Sequence, residues 1–533
     1  MKKSNLAVFS ILSVILLTGC IPEKSSREVQ LFRIFEIKLA ASQPGSNPYL
    51  NGPEVSAKFT GTSGKAKGKT FVITGFWDGN NDWRIRFAPT LTGGWSYETT
   101  STDPGLNRKR GSLTAVHQKG ESAPSNILYN GFLELNDTFS WKLSNGTPFL
   151  PVGETQWSFS EEFLLSEWKE WIDVLAECNY NSFMGCAWLG KYTRAEIYPF
   201  EKRDPQTDKL LVRFFKEQLD PMVQYANDKG IMMGIVIGGF PDNSQWFQKF
   251  NTLERNERWF KYIIARYAAY NVRWGLFGEI NEAAGRFALE DKSWQWVGRH
   301  FSQLIKDTDP YKHPAGSHNT RVDTSAATDP NIDFIEVQEG DRKSPTQYLN
   351  AQDLRKWNKP VWYEEYWYEM DGDQNVGIHN THRNFISALA FPTMGSLMRN
   401  HYGIDSPFPP DEAKRQGIPL YDFLMKNDTG IVRMSYFADF YKILVNDLDD
   451  FTPATELINR GECSRFGKNL AIFLPDGGSF TLDLSAVKSD FNVLRLDIRT
   501  GDTLKLKSIS GGRSCYIDSK SDSDAVVLLI SDR

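Results

Sequence analysis

Two periodicities divide the chain. Between residues 125 and 450, short apolar runs alternate with stretches in which apolar residues recur every three or four positions, the patterns of buried strands and amphipathic helices. The runs predict strands over 149–152, 181–184, 231–237, 272–277, 314–317, 332–337, 361–363 and 396–399. Helical patterns cover 161–177, 211–229 and 253–270, and a closing helix is expected near 430–446. Strands separated by helices at this spacing fit a (β/α)8 TIM barrel better than an open doubly wound sheet.

On either side of this stretch the period is two. In Asp82–Phe87 the residues Trp83, Ile85 and Phe87 share one face and the arginines the other, and Gly93–Thr99 alternates again; together they predict a hairpin on a β-sandwich spanning 28–118. Leu470–Leu474, Phe480–Leu484 and the terminal run Ala525–Ile530 predict a second sandwich over 455–533. The fold class expected is therefore multidomain, a central barrel at 125–450 flanked by two β-sandwiches, with His117–Ser125 as the first linker. A chain of 533 residues is too long for one core, which agrees.

Composition changes this picture in three places. Aromatic content is high, with 16 Trp, 20 Tyr and 35 Phe; many of these are expected in the core, and a clustered subset could instead line a groove for sugar rings. A net charge of −5 with no basic tract argues against nucleic acid, and no glycine-rich phosphate loop sits at a strand-to-helix turn, so no nucleotide cofactor is expected. Seven His and no Cys/His spacing of the metal type argue against a metal centre. Asp78–Asp82 has the look of a calcium loop, but Trp83 replaces the required glycine and Pro89 the bidentate glutamate, so it is expected to be a polar turn.

The leader MKKSNLAVFSILSVILLTGC carries two lysines, an apolar run and small residues before Cys20, the make-up of a secretory signal over 1–19. Its ending Leu17-Thr18-Gly19-Cys20 resembles the lipobox of bacterial lipoproteins, which implies cleavage before Cys20 and a lipid anchor there. The expected location is across the inner membrane, anchored to a bacterial outer membrane on its periplasmic or cell-surface face. Of the other cysteines, Cys178 and Cys186 lie across one strand, about 26 Å apart when extended, and cannot pair. Cys463 and Cys515 could form a disulfide or stay free thiols.

In a barrel the reacting groups gather where the strands end at their carboxyl side. Those positions read Glu154, Thr155 and Trp157; Trp188; Asp242; Glu279; His318 and Asn319; Gln338 and Glu339; Glu364 and Glu365; then Asn400, His401 and Tyr402. Carboxylates, amides and aromatics dominate, and serine nucleophile elbows are absent. Two opposed carboxylates among aromatic platforms are what glycoside hydrolysis requires.

These residues carry a family resemblance. Phe149–Trp157, Asn271–Glu279 and Lys359–Glu365 with Tyr368-Glu369 are similar to the first, fourth and seventh strands of the apiosidase-like (β/α)8 glycoside hydrolases, in the clan with catalytic carboxylates after strands four and seven. The N-terminal unit resembles the Ig-like domain found ahead of such barrels, and the C-terminal unit the collagen-binding-type sandwich that follows them. The resemblance implies a polysaccharide or oligosaccharide substrate, with Glu279 as acid/base, kept protonated by burial and its negative neighbour, and Glu365 as ionised nucleophile. It departs from the family in having Glu279 where Asp is usual and Gly278 where the clan has Asn, while Asn281-Glu282 repeats the clan's Asn-Glu pair three residues late. The strand end favours Glu279 over Glu282. Strand alternation lets only one of Glu364 and Glu365 face the axis, and spacing favours Glu365. Glu154, Trp157, Trp188, His318, Gln338, Tyr366, His401 and Tyr402 are the expected substrate contacts, and Tyr363, Tyr366, His318 or Tyr402 could orient the nucleophile. The competing reading is a non-catalytic carbohydrate-binding or adhesive surface lipoprotein.

Overall fold

The computed structural model describes residues 27–117, 126–136, 140–241, 244–283, 289–320, 324–338, 355–365, 397–400, 408–427, 431–432, 435–436, 451–497 and 499–531. Cys20, Asp242, Glu339, Tyr366, His401 and Tyr402 lie outside these residues, as does most of the expected closing helix. Among the described residues no helix is long and apolar enough to cross a membrane.

The N-terminal unit is two β-sheets around one core. Five strands run in the order Arg27–Gln30, Arg110–Val116, Gly93–Ser101, Val55–Gly61, Thr70–Thr74, and three in the order Phe35–Ala40, Asp82–Phe87, Phe76–Trp77. Asp82–Phe87 and Gly93–Ser101 thus belong to opposite sheets, which corrects the hairpin expected from their alternation. The reason is the core between them. Phe87 stacks on Phe59 with centroids 4.0 Å apart and meets Trp95 edge-on at 5.2 Å, so the two apolar faces look at each other instead of lying side by side.

The central unit has eight parallel strands: β1 (Val152–Thr155), β2 (Ser182–Cys186), β3 (Met232–Val236), β4 (Val272–Gly278), β5 (Ala315–Thr320), β6 (Ile335–Gln338), β7 (Val361–Glu365) and β8 (Leu397–Asn400). Their spatial order is β7-β6-β5-β4-β3-β2-β1-β8, a TIM-like sheet. Strands β1, β5 and β7 end later than the apolar runs suggest. Phe149 belongs instead to a small antiparallel sheet with Leu133–Leu135 and Trp141–Leu143, whose Trp141 packs on Phe334 and Trp362 at the amino ends of β6 and β7.

Helices cover the outer face. They include α1 (Leu165–Glu177), α2 (Asp220–Asp228), α3 (Leu253–Tyr267) and α4 (Trp294–Thr308). Helix α3 begins where Thr252 Oγ1 accepts the Arg255 N–H at 3.2 Å, and buries Trp259, Phe260, Ile263, Ile264 and Tyr267 along one stripe. Asp78, at the start of the polar turn 78–82, accepts from Arg84 and from Arg266 of α3, both at 3.0 Å. The polar turn is thereby part of the seam between the N-terminal unit and the helices.

The C-terminal unit is antiparallel. Ala525–Ser531 lies between Asn469–Leu474 and Asp490–Asp497, and Ser479–Asp483 pairs with Ser514–Asp518 in a second sheet. Phe473, Leu496, Val526 and Leu528 join the same apolar cluster as the helix-facing residues of the central sheet, so this unit packs on the central one. Cys463 and Cys515 are buried free thiols, as are Cys178 and Cys186; the disulfide alternative is not realised.

Candidate active site at the carboxyl ends of the strands

Side-chain alternation sorts each strand into a helix-facing and an axis-facing set. On the axis side lie Thr155 of β1, Met184 of β2, Gly234 of β3, Arg273 of β4, His318 of β5, Glu336 of β6 and Trp362 of β7, as the strand registers and alternation along β4 and β5 place them, and Glu364, which has no register partner in β6, joins them through its ion pair with Arg273. Four of these are polar and wholly buried. Arg273 Nη1 meets Glu336 Oε1 at 3.2 Å, and its Nη2 forms an ion pair with Glu364. The guanidinium stands 4.1 Å above the Trp362 ring. A His318 ring nitrogen and one carboxylate oxygen each from Glu336 and Glu364 lie within 4.8 Å of one another.

Glycines make room for this layer. A Cβ at Gly234 would stand 2.9 Å from the Arg273 guanidinium carbon, and one at Gly316 would stand 2.5 Å from Glu336 Oε1. Burial drives the Glu336 carboxyl well above the ordinary range, the Glu364 charge adds to the rise, and Arg273 only partly offsets it. Burial likewise raises Glu364, against the pull of Arg273 and His318. His318 and two glutamates form a donor set able to take a cation, but Arg273 already supplies positive charge to both carboxylates.

Glu279 follows the last residue of β4 directly. It is half-buried, its N–H donates to the His318 carbonyl at 2.6 Å, and its backbone adopts φ = +49°, a left-handed conformation uncommon outside glycine and asparagine. The chain turns there into the short 3-10 helix Ile280–Ala283, which carries Asn281 and Glu282 onward. Glu365 is the last residue of β7, in register with Gln338. The side chains of Glu282, Gln338 and Glu365 lie outside the described set.

The register of β7 alters the choice between its two glutamates. Val337 pairs with Tyr363 and Gln338 with Glu365, so Glu364 is an extra residue, a bulge. Strict alternation, on which the exclusion of one glutamate rested, does not hold at this point. Thr155 Oγ1 donates to the Glu364 carbonyl at 2.9 Å, tying β1 to β7.

The expected substrate contacts divide. Trp157 stands at the strand ends, its ring 4.6 Å from His318 and 5.1 Å from Phe240. His318 is wholly buried beneath it. Two residues are not brought to the site. Trp188 is 0% exposed and packs among Phe200, Trp246, Phe250 and Trp259, so it is a core residue and not a platform. Glu154 pairs with Phe183, which faces helix residues Phe159 and Trp168; alternation therefore turns Glu154 toward the helices and leaves Thr155 on the axis. The expected site residues do not include Arg273 and Glu336, nor, away from that cluster, Glu161, which accepts from the Gly190 N–H at 3.0 Å and is pushed up to about 7 by burial against the opposing pull of backbone N–H groups. A charged residue inside an otherwise apolar strand was the available signal for the first two.

Residues 140–390 match the model of the apiosidase-like catalytic domain. The chain carries a glycoside hydrolase domain. Both Glu279 and Glu365 fall within the matched stretch, and residues 28–102 match a domain of unknown function, DUF5060. No curated protein matches the chain. Among solved structures, a candidate glycoside hydrolase from Bacteroides vulgatus ATCC 8482 aligns over 95% of this chain and 100% of its own, at 18% identity and a TM-score of 0.71. A glycoside hydrolase family 5 protein from the same organism aligns over 76% of this chain and 94% of its own, at 18% identity and a TM-score of 0.59. At these identities the likeness concerns the fold.

Proposed function

We propose that the apiosidase-like domain cleaves glycosidic bonds of a complex polysaccharide or oligosaccharide by a retaining double displacement, with Glu279 as acid/base and Glu365 as nucleophile. The observation that carries this reading is that β4 and β7 both run out into a glutamate at the same edge of the sheet, Glu279 at Gly278 and Glu365 at the strand terminus. In the first step Glu279 gives its proton to the leaving oxygen while Glu365 attacks the anomeric carbon. In the second, Glu279 takes a proton from water as that water releases the sugar from Glu365. The mechanism requires the sheet to close as a barrel that brings the two carboxyls to about 5–5.5 Å. The hydrogen bond from Thr155 on β1 to Glu364 on β7, on either side of β8, supports closure.

Trp157 is proposed as the sugar platform, and Gln338, Tyr366, His401 and Tyr402 as hydroxyl contacts. The flanking units, over 28–118 and 455–533, are proposed as an Ig-like and a collagen-binding-type sandwich around a 125–450 barrel. The chain is proposed to be lipidated at Cys20 and held at the outer membrane, which Cys20→Ala would release into the soluble fraction. The catalytic reading is tested on defined oligosaccharides with wild type beside Glu279→Gln, Glu282→Gln and Glu365→Gln. Glu279→Gln and Glu365→Gln should each lower kcat by about 10²–10⁴-fold, with Glu282→Gln close to wild type. Loss at Glu282 with Glu279 dispensable would reassign the acid. An inverted product would remove the covalent step.

A further inference from the structure

We infer that Arg273, Glu336 and Glu364, closed over by His318, form a positioning layer for the reaction: the cluster shares one proton and fixes the end of β7 from which the nucleophile projects. This rests on the assignment of Glu279 and Glu365 and goes beyond it, because none of the four residues is asked to touch substrate.

Connectivity is the first argument. The four residues come from four adjacent strands, β4 to β7, and each candidate for the chemistry is one covalent or one hydrogen-bonded step away. Glu364 precedes Glu365 in the chain. The His318 carbonyl holds the Glu279 N–H at 2.6 Å, while its ring meets Trp157. Arg273 shares β4 with the residue that Glu279 follows.

Construction is the second. Gly234 and Gly316 leave the space that the Arg273 and Glu336 side chains fill, and Trp362 offers a ring face to the guanidinium. The bulge at Glu364 interrupts β7 where a carboxylate is to be aimed, and that residue is gripped from two sides, its side chain by Arg273 and its carbonyl by Thr155. A bulge held in this way is over-determined, and positioning errors near 1 Å are costly to catalysis.

Charge is the third. One guanidinium faces two carboxylates, all 0% exposed, and an unbalanced buried charge is expensive. Among the described residues the titratable groups of the cluster are Arg273, His318, Glu336 and Glu364, so a proton held among the two glutamates and His318 restores balance, and the pair titrates as a unit. Deleting one carboxylate removes the shared proton, and deleting the Thr155 hydroxyl removes the grip on β7 without touching any charge.

The test measures kcat, KM and their pH profiles on a panel of 2,4-dinitrophenyl glycosides and defined oligosaccharides, with wild type, Glu279→Gln, Glu365→Gln, Glu364→Gln, Glu336→Gln and Thr155→Val, each checked for folding by melting. Glu364→Gln should lower kcat by about 10²-fold with KM within about threefold, and move one limb of the kcat profile by about one pH unit. Glu336→Gln should move the same limb. Thr155→Val should lower kcat about tenfold while leaving the profile in place, and it carries the test if the charge variants do not fold. If Glu279→Gln and Glu365→Gln are inactive while folded Glu364→Gln, Glu336→Gln and Thr155→Val match wild type in kcat and profile, the positioning layer is refuted and the catalytic assignment stands. A wild type that hydrolyses nothing in the panel overturns both.

Discussion

Replacing Asp220 by asparagine should unfasten the N-terminal unit from the central one. Asp220 opens α2 with its side chain only 14% exposed. It accepts from Arg86 Nη2 at 2.7 Å, from Arg266 Nε and Nη2 at 2.8 and 2.7 Å, and from the Tyr267 hydroxyl at 2.7 Å. Arg86 comes from the N-terminal sheet and Arg266 from α3, so one carboxylate neutralises two guanidiniums from two units. An amide in its place keeps the shape but leaves both cations facing a neutral group. Breaking a buried pair in this way costs about 3–5 kcal/mol, and the lower end is expected because Glu36 still holds Arg86 at 3.0 Å and Asp78 still holds Arg266 at 3.0 Å. The sign with pH follows from the carboxyl. Burial alone would raise it, but Arg86 and Arg266 hold it well below the ordinary carboxylate range. Its contribution is therefore complete above the unfolded value of about 3.9 and is lost as pH falls through the folded one. Urea denaturation of wild type and Asp220→Asn at pH 7, 5 and 3, followed by tryptophan fluorescence, should show the largest gap at pH 7 and 5 and a smaller one at pH 3. A gap below about 1 kcal/mol at pH 7, or one of equal size at all three values, would refute the reasoning.

Trp188→Ala should destabilise by about 3–5 kcal/mol with KM unchanged, whereas Trp157→Ala should raise KM roughly three- to tenfold with a smaller loss of stability; melting curves beside kinetics separate the two. Gly316→Ala places a Cβ 2.4 Å from the Phe334 ring and 2.5 Å from Glu336 Oε1, and should cost about 1–3 kcal/mol in a denaturation midpoint. Burial raises the thiols of Cys186 and Cys463, so a thiol reagent at neutral pH should label neither in the native protein, and mass spectrometry after unfolding should find no link between Cys463 and Cys515.

The sequence by itself determined the central strands and the edge of the sheet at which their polar residues gather. Apolar runs are visible because a parallel strand is buried on both faces, and the eight runs found this way each contribute to one of β1 to β8. That Glu279 follows β4 directly was legible for the same reason. What the runs could not carry is which element lies beside which. Trp83–Phe87 and Trp95 alternate alike, and only the packing of Phe87 on Phe59 assigned them to opposite sheets. Trp157 and Trp188 both follow strands, yet one stands over His318 and the other is enclosed by Trp246 and Trp259, because loop paths past a strand end keep no periodicity. The bulge at Glu364 is a property of two strands paired together, so no reading of β7 alone contains it. Arg273 and Glu336 are sixty-three positions apart in the chain, and only the alignment of β4, β5 and β6 side by side in the sheet turns two odd charges in apolar strands into one buried pair.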